Sequence, residues 1–284
     1  MTASAKQHAT DRDRAAWDAL APAFDRHTTP HTLRFGERLL AGAALTPATR
    51  FLDVAAGSGA LALPAARRGA LVTAVDLAPA MVRLLSARAR AEGLHGVRAL
   101  VMDGEHLALD DDAFDVSASL NGVSLFPDIG RGLAEMVRVT RPGGRVLVAA
   151  FGPPSRVEFL AWAAAALRAA VPGFAGLPAD PPPPPFRLAA PDRFATVLRD
   201  AGLTGVTVRQ EVMDTSFASS QELLDTLRGS NPLGARWVAA LSGPQAAEVG
   251  RILDGMLRER SGGRPGDAVL HTAVNVGTGA VPGP

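Results

Sequence analysis

An α/β fold, a mostly parallel sheet with helices on both faces, is what this sequence predicts, and three observations carry that expectation. From Arg50 onward, short apolar runs alternate with segments of helical periodicity, the pattern of consecutive strand–helix–strand units. Glycines stand where the intervening helices should stop, at Gly69, Gly93 and Gly202. Three of the apolar runs end in an acid: Asp53, Asp76 and Asp103.

The elements follow in order. Residues 1–14 are polar and charged and read as a disordered N-terminus. Residues 15–49 read as helices, with Trp17, Leu20, Phe24, Leu33, Leu39 and Leu40 spaced for one apolar face. The first strand is expected near Arg50–Ala56, followed by a helix to Arg68, and the second at Leu71–Asp76. Pro79 suits the first turn of the next helix, which presents Met81, Leu84 and Leu85 on one face. Strands near Val97–Asp103 and Asp115–Asn121 come next, then a helix carrying Ile129, Leu133, Met136 and Val137. Arg141-Pro142-Gly143-Gly144 turns the chain into a fifth strand, Arg145–Phe151. An Ala-rich helix near Val157–Ala170 precedes a loop from Pro172 to Pro191, whose proline run Pro181–Pro185 cannot pair as a central strand. A short helix with Phe194, Val197 and Leu198 leads to a sixth strand, Val206–Val212. Ser219 with Glu222 and Ser242 with Gln245 have the spacing of capping boxes and predict two more helices. The last strand is about Val269–Val276, and residues 277–284 read as a flexible Gly/Pro-rich tail.

Composition narrows the chemistry. The chain has 284 residues, 47% hydrophobic and 20% charged, enough for a buried core. Lys plus Arg number 29 against 28 Asp plus Glu, so the balance shows no footprint for nucleic acid, and a small molecule is the expected partner. Cysteine is absent, which excludes disulfides, thiolate catalysis and Cys-ligated metal centres. No apolar run reaches membrane-spanning length, and a cytoplasmic protein is the expectation. The histidines show no metal-binding spacing, and Asp110-Asp111-Asp112 reads as a solvated loop, so metal-free chemistry is expected.

The sharpest motif is Phe51-Leu52-Asp53-Val54-Ala55-Ala56-Gly57-Ser58-Gly59-Ala60, a strand, an acid, then a small-residue turn into a helix. Gly57 and Gly59 permit a tight turn and bare N–H groups that can hold a carboxylate or phosphate. Taken alone, Gly57-Ser58-Gly59-Ala60-Leu61-Ala62 also fits the spacing of dinucleotide-binding enzymes, so an NAD(P)-dependent oxidoreductase is an alternative. An anionic Asp53 beside the loop would repel a pyrophosphate and attract an ammonium or sulfonium. Asp76 is placed to accept ribose hydroxyls, and Asp103 to accept from an adenine amino group.

With these residues the chain resembles the class I S-adenosylmethionine-dependent methyltransferases, and more closely the small-molecule branch similar to the ubiquinone/menaquinone-biosynthesis enzymes. The resemblance covers roughly residues 15–276 and extends to Ala113-Phe114-Asp115-Val116, the segment Asn121–Asp128 and Arg141–Gly144. It implies a Rossmann-like, seven-stranded, mostly parallel sheet with its last strand antiparallel, plus a helical cap. It implies S-adenosylmethionine as cofactor, with S-adenosylhomocysteine as product. Asp53, Ala55, Gly57 and Gly59 would hold its methionine part, Asp76 its ribose, Leu77 and Met81 would flank its adenosine, and Asp103 with Gly104 would reach its adenine. Residues 50–155 would be the cofactor-binding core and 156–276 the rest of the sheet, with cap insertions at 156–190 and 218–265. A protein that keeps the cofactor but does other chemistry is a further alternative.

Two departures from the family pattern stand out. Ala55 occupies a position that is usually glycine, tolerable if its φ is negative, and Asn121 places a donor and an acceptor beside the expected methyl position. Asn121 would either orient the substrate or satisfy local backbone. His27 and His31 follow the first helix, where a general base would serve a hydroxyl acceptor; ordinary surface histidines are the plainer reading. Trp17 and Phe24 would close over the cofactor or merely dock their helix. The proline-rich loop and the capped helices would shape the acceptor pocket or form a homodimer surface.

Overall fold

The computed structural model describes residues 3–178, 180–264 and 268–283. Seven strands form one sheet: β1 (Arg50–Val54), β2 (Leu71–Asp76), β3 (Val97–Val101), β4 (Phe114–Leu120), β5 (Thr140–Phe151), β6 (Thr204–Phe217) and β7 (Ala268–Ala280). Their order is β3-β2-β1-β4-β5-β7-β6, parallel from β3 to β5, with β7 antiparallel to both β5 and β6. β1 is buried on both faces from Phe51 to Val54, as a central strand must be. The chain leaves β3 at one edge and returns beside β1 as β4, so the loops after β1 and β4 diverge. Between those carboxyl ends lies the crevice where sheets of this type bind ligands.

Strand alternation divides the core. Phe51 packs on one side with Phe35, Leu39, Leu61 and Leu85, beneath α2 (Thr29–Leu39), α3 (Ala62–Arg67) and α4 (Pro79–Ala91). Leu52 and Val54 pack on the other with Leu133, Met136, Phe194 and Leu198, beneath α5 (Ile129–Val139) and α7 (Pro191–Asp200). A separate apolar cluster joins α6 (Glu158–Ala170), α8 (Ser220–Ser230) and α10 (Gly243–Arg260) to Phe217 and Leu270. Ser242 and Gln245 form a complete capping box on α10, whereas at α8 the Glu222 carboxylate takes the N–H of Ala218 instead. A further helix, α9 (Pro232–Ala239), lies between them, capped by Asn231, whose Oδ1 accepts the Gly234 N–H at 2.9 Å.

Three segments differ from expectation. α1 (Ala3–His27) starts inside the stretch read as disordered: it lacks Gly and Pro over its first turns and is rich in Ala, Arg, Lys and Gln, which favour helix without an apolar stripe. β7 runs to Ala280, through the expected tail. Its glycines are sites of close approach: a Cβ on Gly277 would sit 2.6 Å from Leu198, and one on Gly279 would sit 2.9 Å from Leu203. β6 extends to Phe217, five residues beyond its expected end, and that extension forms part of a cavity wall. Among the described residues no helix is long and apolar enough to cross a membrane.

Candidate active site

The loops after β1, β2, β3 and β4 open into one cavity roofed by α1, α8 and β6. β1 ends at Val54 and the chain turns at once through Ala55 (φ +55), Gly57 (φ +55) and Gly59 (φ +109). Asp76, at the end of β2, ties this loop down: its Oδ2 accepts the Gly57 N–H at 2.8 Å and its Oδ1 the Ala78 N–H at 2.9 Å. Burial raises the Asp76 carboxyl above its ordinary range despite these two donors. Each oxygen keeps a second lone pair, so the carboxylate can still accept from a ligand hydroxyl. Asp103 holds its own loop through the Glu105 N–H at 2.9 Å, and Gly104 lets the Phe126 ring approach where a Cβ would stand 2.4 Å away.

The cavity brings together most of the residues singled out from the sequence: His31, Ala55, Gly57, Asp76, Leu77, Met81, Asp103, Gly104 and Asn121 all line it. Asp53, Gly59 and His27 do not. Asp53 lies beneath the loop at 1% exposure, with Oδ2 accepting the Ala62 N–H at 2.8 Å and Oδ1 without a partner. Burial pushes its carboxyl up to about 8, opposed by the Ala62 N–H and reinforced by nearby Asp76. Without a cation beside it, the carboxyl therefore favours its neutral form near neutral pH. Gly59 turns its missing side chain toward Leu63, which a Cβ would meet at 2.9 Å. The glycine N–H groups expected to be bare are occupied, that of Gly57 by Asp76 and that of Gly59 by the Ala56 carbonyl. His27 lies outside the cavity lining, its carbonyl accepting from the Thr226 hydroxyl.

Ala55 is not at negative φ. It holds the left-handed conformation that disfavours a side chain by roughly 1–2 kcal/mol, and its methyl group fills the space that a Cβ on Gly122 would need. Asn121 is also left-handed (φ +55), the residue type after glycine that best tolerates it. Its Oδ1 is buried without a partner, so this atom does not satisfy local backbone.

Charge is distributed unevenly around the wall. Asp13, Asp76, Asp103 and Glu105 line the cavity, and no Lys or Arg does so among the described residues. Away from the acids the wall is apolar, with Phe126, Phe151, Phe159, Met213 and Phe217. Met213 and Phe217 share one face of β6 with Thr215, a period-two pattern readable in the sequence had the strand been extended far enough. Asp13, and Thr226 and Ser230 on α8, carried no sequence signal, because only tertiary docking brings them here. α1 closes the roof by packing Trp17, Ala21 and Phe24 on Met81, with Asp25 paired to Arg88 of α4 at 2.9 Å. The hydroxyls of Thr29 and Ser58 join the start of α2 to the glycine loop.

Comparison with known proteins agrees with this geometry. Residues 52–148 match the methyltransferase domain family. Nocamycin O-methyltransferase of Saccharothrix syringae is 31% identical over 262 residues, 87% of this chain and 91% of that protein. An uncharacterised protein of Mycobacterium tuberculosis is 42% identical over 111 residues, the match spanning 39% of this chain and only 40% of that one. Demethylmenaquinone methyltransferase of Thermus thermophilus is 41% identical over 39% of this chain and 50% of its own length. The YcgJ protein of Bacillus subtilis shares the fold, with a TM-score of 0.55 at 18% identity over 90% of this chain and all of that one. With the strand order, the acid-rim cavity and the near full-length relative in agreement, the chain belongs to the class I S-adenosylmethionine-dependent methyltransferases.

Proposed function

We propose that this protein transfers a methyl group from S-adenosylmethionine to an oxygen of a small, uncharged, largely apolar acceptor by metal-free in-line displacement. The observation that carries the reading is the charge of the cavity: four carboxyl groups and no Lys or Arg among the described residues of its wall. Such a site favours a ligand bearing a sulfonium and an ammonium, and disfavours the pyrophosphate of a dinucleotide. The residues present fit the cofactor. Asp76 offers free lone pairs for ribose hydroxyls, Leu77 and Met81 provide apolar faces for a base, and Asp103 can accept from an exocyclic amine.

When bound, S-adenosylmethionine supplies a methyl group already activated by the sulfonium. The protein's task is then alignment and exclusion of water. The roof of Trp17 and Phe24 and the aromatic wall of Phe126, Phe151, Phe159 and Phe217 serve both. Among the described residues the same wall holds no Lys or Arg to neutralise a phosphorylated or carboxylate acceptor, which is why an uncharged one is assigned. Oxygen as the acceptor atom is supported by the relative named as an O-methyltransferase. The test is incubation with trideuteromethyl-labelled S-adenosylmethionine and a panel of neutral phenols and enols, read by mass spectrometry. A product heavier by the labelled methyl group, placed on oxygen by its fragmentation and formed with equimolar S-adenosylhomocysteine, supports the assignment; products labelled only on carbon would overturn it.

A further inference from the structure

An acceptor hydroxyl must lose its proton as it is methylated, and the apolar part of the cavity holds one side chain suited to receive it. His31 sits on α2 against Phe217 of β6, ring centres 6.1 Å apart, and lines the cavity together with Thr28, three residues before it. Among the described residues six buried polar side-chain atoms have no partner, and three belong to this wall: Thr28 Oγ1, His31 Nδ1 and Asn121 Oδ1. A buried polar atom without a partner is costly, so a concentration of them around one cavity points to a ligand with polar groups. The charged groups facing the imidazole are Glu222 of α8 and Arg34 of its own helix; β6 contributes the uncharged Thr215 and Phe217. Burial outweighs the pull of Glu222 and holds the ring below its ordinary value, so it is neutral and ready to accept a proton at physiological pH.

We infer that His31 is the general base of the methyl transfer, acting on a hydroxyl of the acceptor that Thr28 and Asn121 help to orient. This rests on the function proposed above. The acceptor oxygen forms its new bond to the methyl carbon as the carbon–sulfur bond breaks, and the sulfur keeps that electron pair. The hydroxyl proton passes to the imidazole, which releases it to solvent after product leaves.

Two phenols of similar size separate a base from a structural residue: 2-naphthol, un-ionised in neutral buffer, and 4-nitrophenol, substantially ionised under mildly alkaline conditions. His31→Gln should slow kcat for 2-naphthol by roughly 10²–10⁴-fold, with KM little changed, and should slow 4-nitrophenol far less. The wild-type rate for 2-naphthol should fall as pH drops through the histidine titration, and that inflection should vanish in both His31→Gln and His31→Asn. Equal slowing of both phenols, or an inflection that persists in the variants, would overturn the assignment. So would a wild-type protein that binds S-adenosylmethionine in calorimetry yet methylates neither phenol. Failure to bind the cofactor at all would instead remove the reading on which this inference rests.

Discussion

The two ends of the sheet treat their carboxylates in opposite ways. At the amino end, Asp115 of β4 is clamped by the Arg50 N–H at 2.7 Å and the Arg141 Nε at 2.6 Å. Burial alone would raise its carboxyl, but the two guanidinium groups win and bring it down to about 2. At the carboxyl end, Asp53 and Asp76 have backbone N–H donors and no guanidinium, and both are pushed upward by burial. Arginines thus neutralise the acid at one end of the sheet, while among the described residues Asp53 and Asp76 at the other end are held by backbone N–H groups alone. The comparison also separates two kinds of work: Asp115 holds strands together, while the acids at the opposite end hold a loop in readiness.

The largest expected effect of breaking that contrast is at Asp76. Asp76→Ala removes the clamp on Gly57 and the acceptor proposed for the ribose hydroxyls, and should weaken S-adenosylmethionine binding by about 1.5–3 kcal/mol, measured by calorimetry. Unchanged affinity would show that the cofactor does not use this acid.

Asp53 sharpens the contrast next. A cation bound near a carboxyl favours its ionised form, so S-adenosylmethionine binding at pH 7 should release up to about one proton per site. The observed binding enthalpy should then vary with the ionisation enthalpy of the buffer. Asp53→Asn, which keeps an acceptor for the Ala62 N–H, should abolish that variation. The same residue gives the free protein a definite pH signature: its folded value, raised to about 8, contributes stability below the ordinary carboxylate range that is lost as pH rises toward and through 8. Asp115 has the opposite sign, contributing stability above the ordinary range that is lost as pH falls toward 2. Asp115→Asn should cost about 1 kcal/mol in urea unfolding at pH 7, without altering cofactor affinity.

The acids were legible because a short apolar run meeting a carboxyl is a local pattern. What each acid does was not. Asp53 and Asp76 look alike in sequence, and only the fold shows that one is sealed beneath the loop while the other faces the cavity. The extent of β7 was hidden for a related reason: Gly277 and Gly279 read as flexibility when they mark close approach of α7 and the turn after it. His31 and His27 were equivalent candidates, one helical turn apart on the chain, until the docking of α8 and β6 gave them different surroundings.

The smallest expected effect is at Ala55. Glycine there removes the left-handed strain but adds backbone entropy to the unfolded chain, so Ala55→Gly should stabilise the protein by less than about 1 kcal/mol. A destabilised variant in thermal unfolding would mean that the Ala55 methyl packing against the Gly122 backbone contributes more than the strain costs.

The central claim is that the acid-lined crevice between the ends of β1 and β4 receives a cationic nucleoside. Titration calorimetry of the purified protein with S-adenosylmethionine and, separately, NADH tests it most directly. The account predicts one saturable site for S-adenosylmethionine and no measurable heat of binding for NADH. Tight NADH binding with no S-adenosylmethionine binding would contradict it.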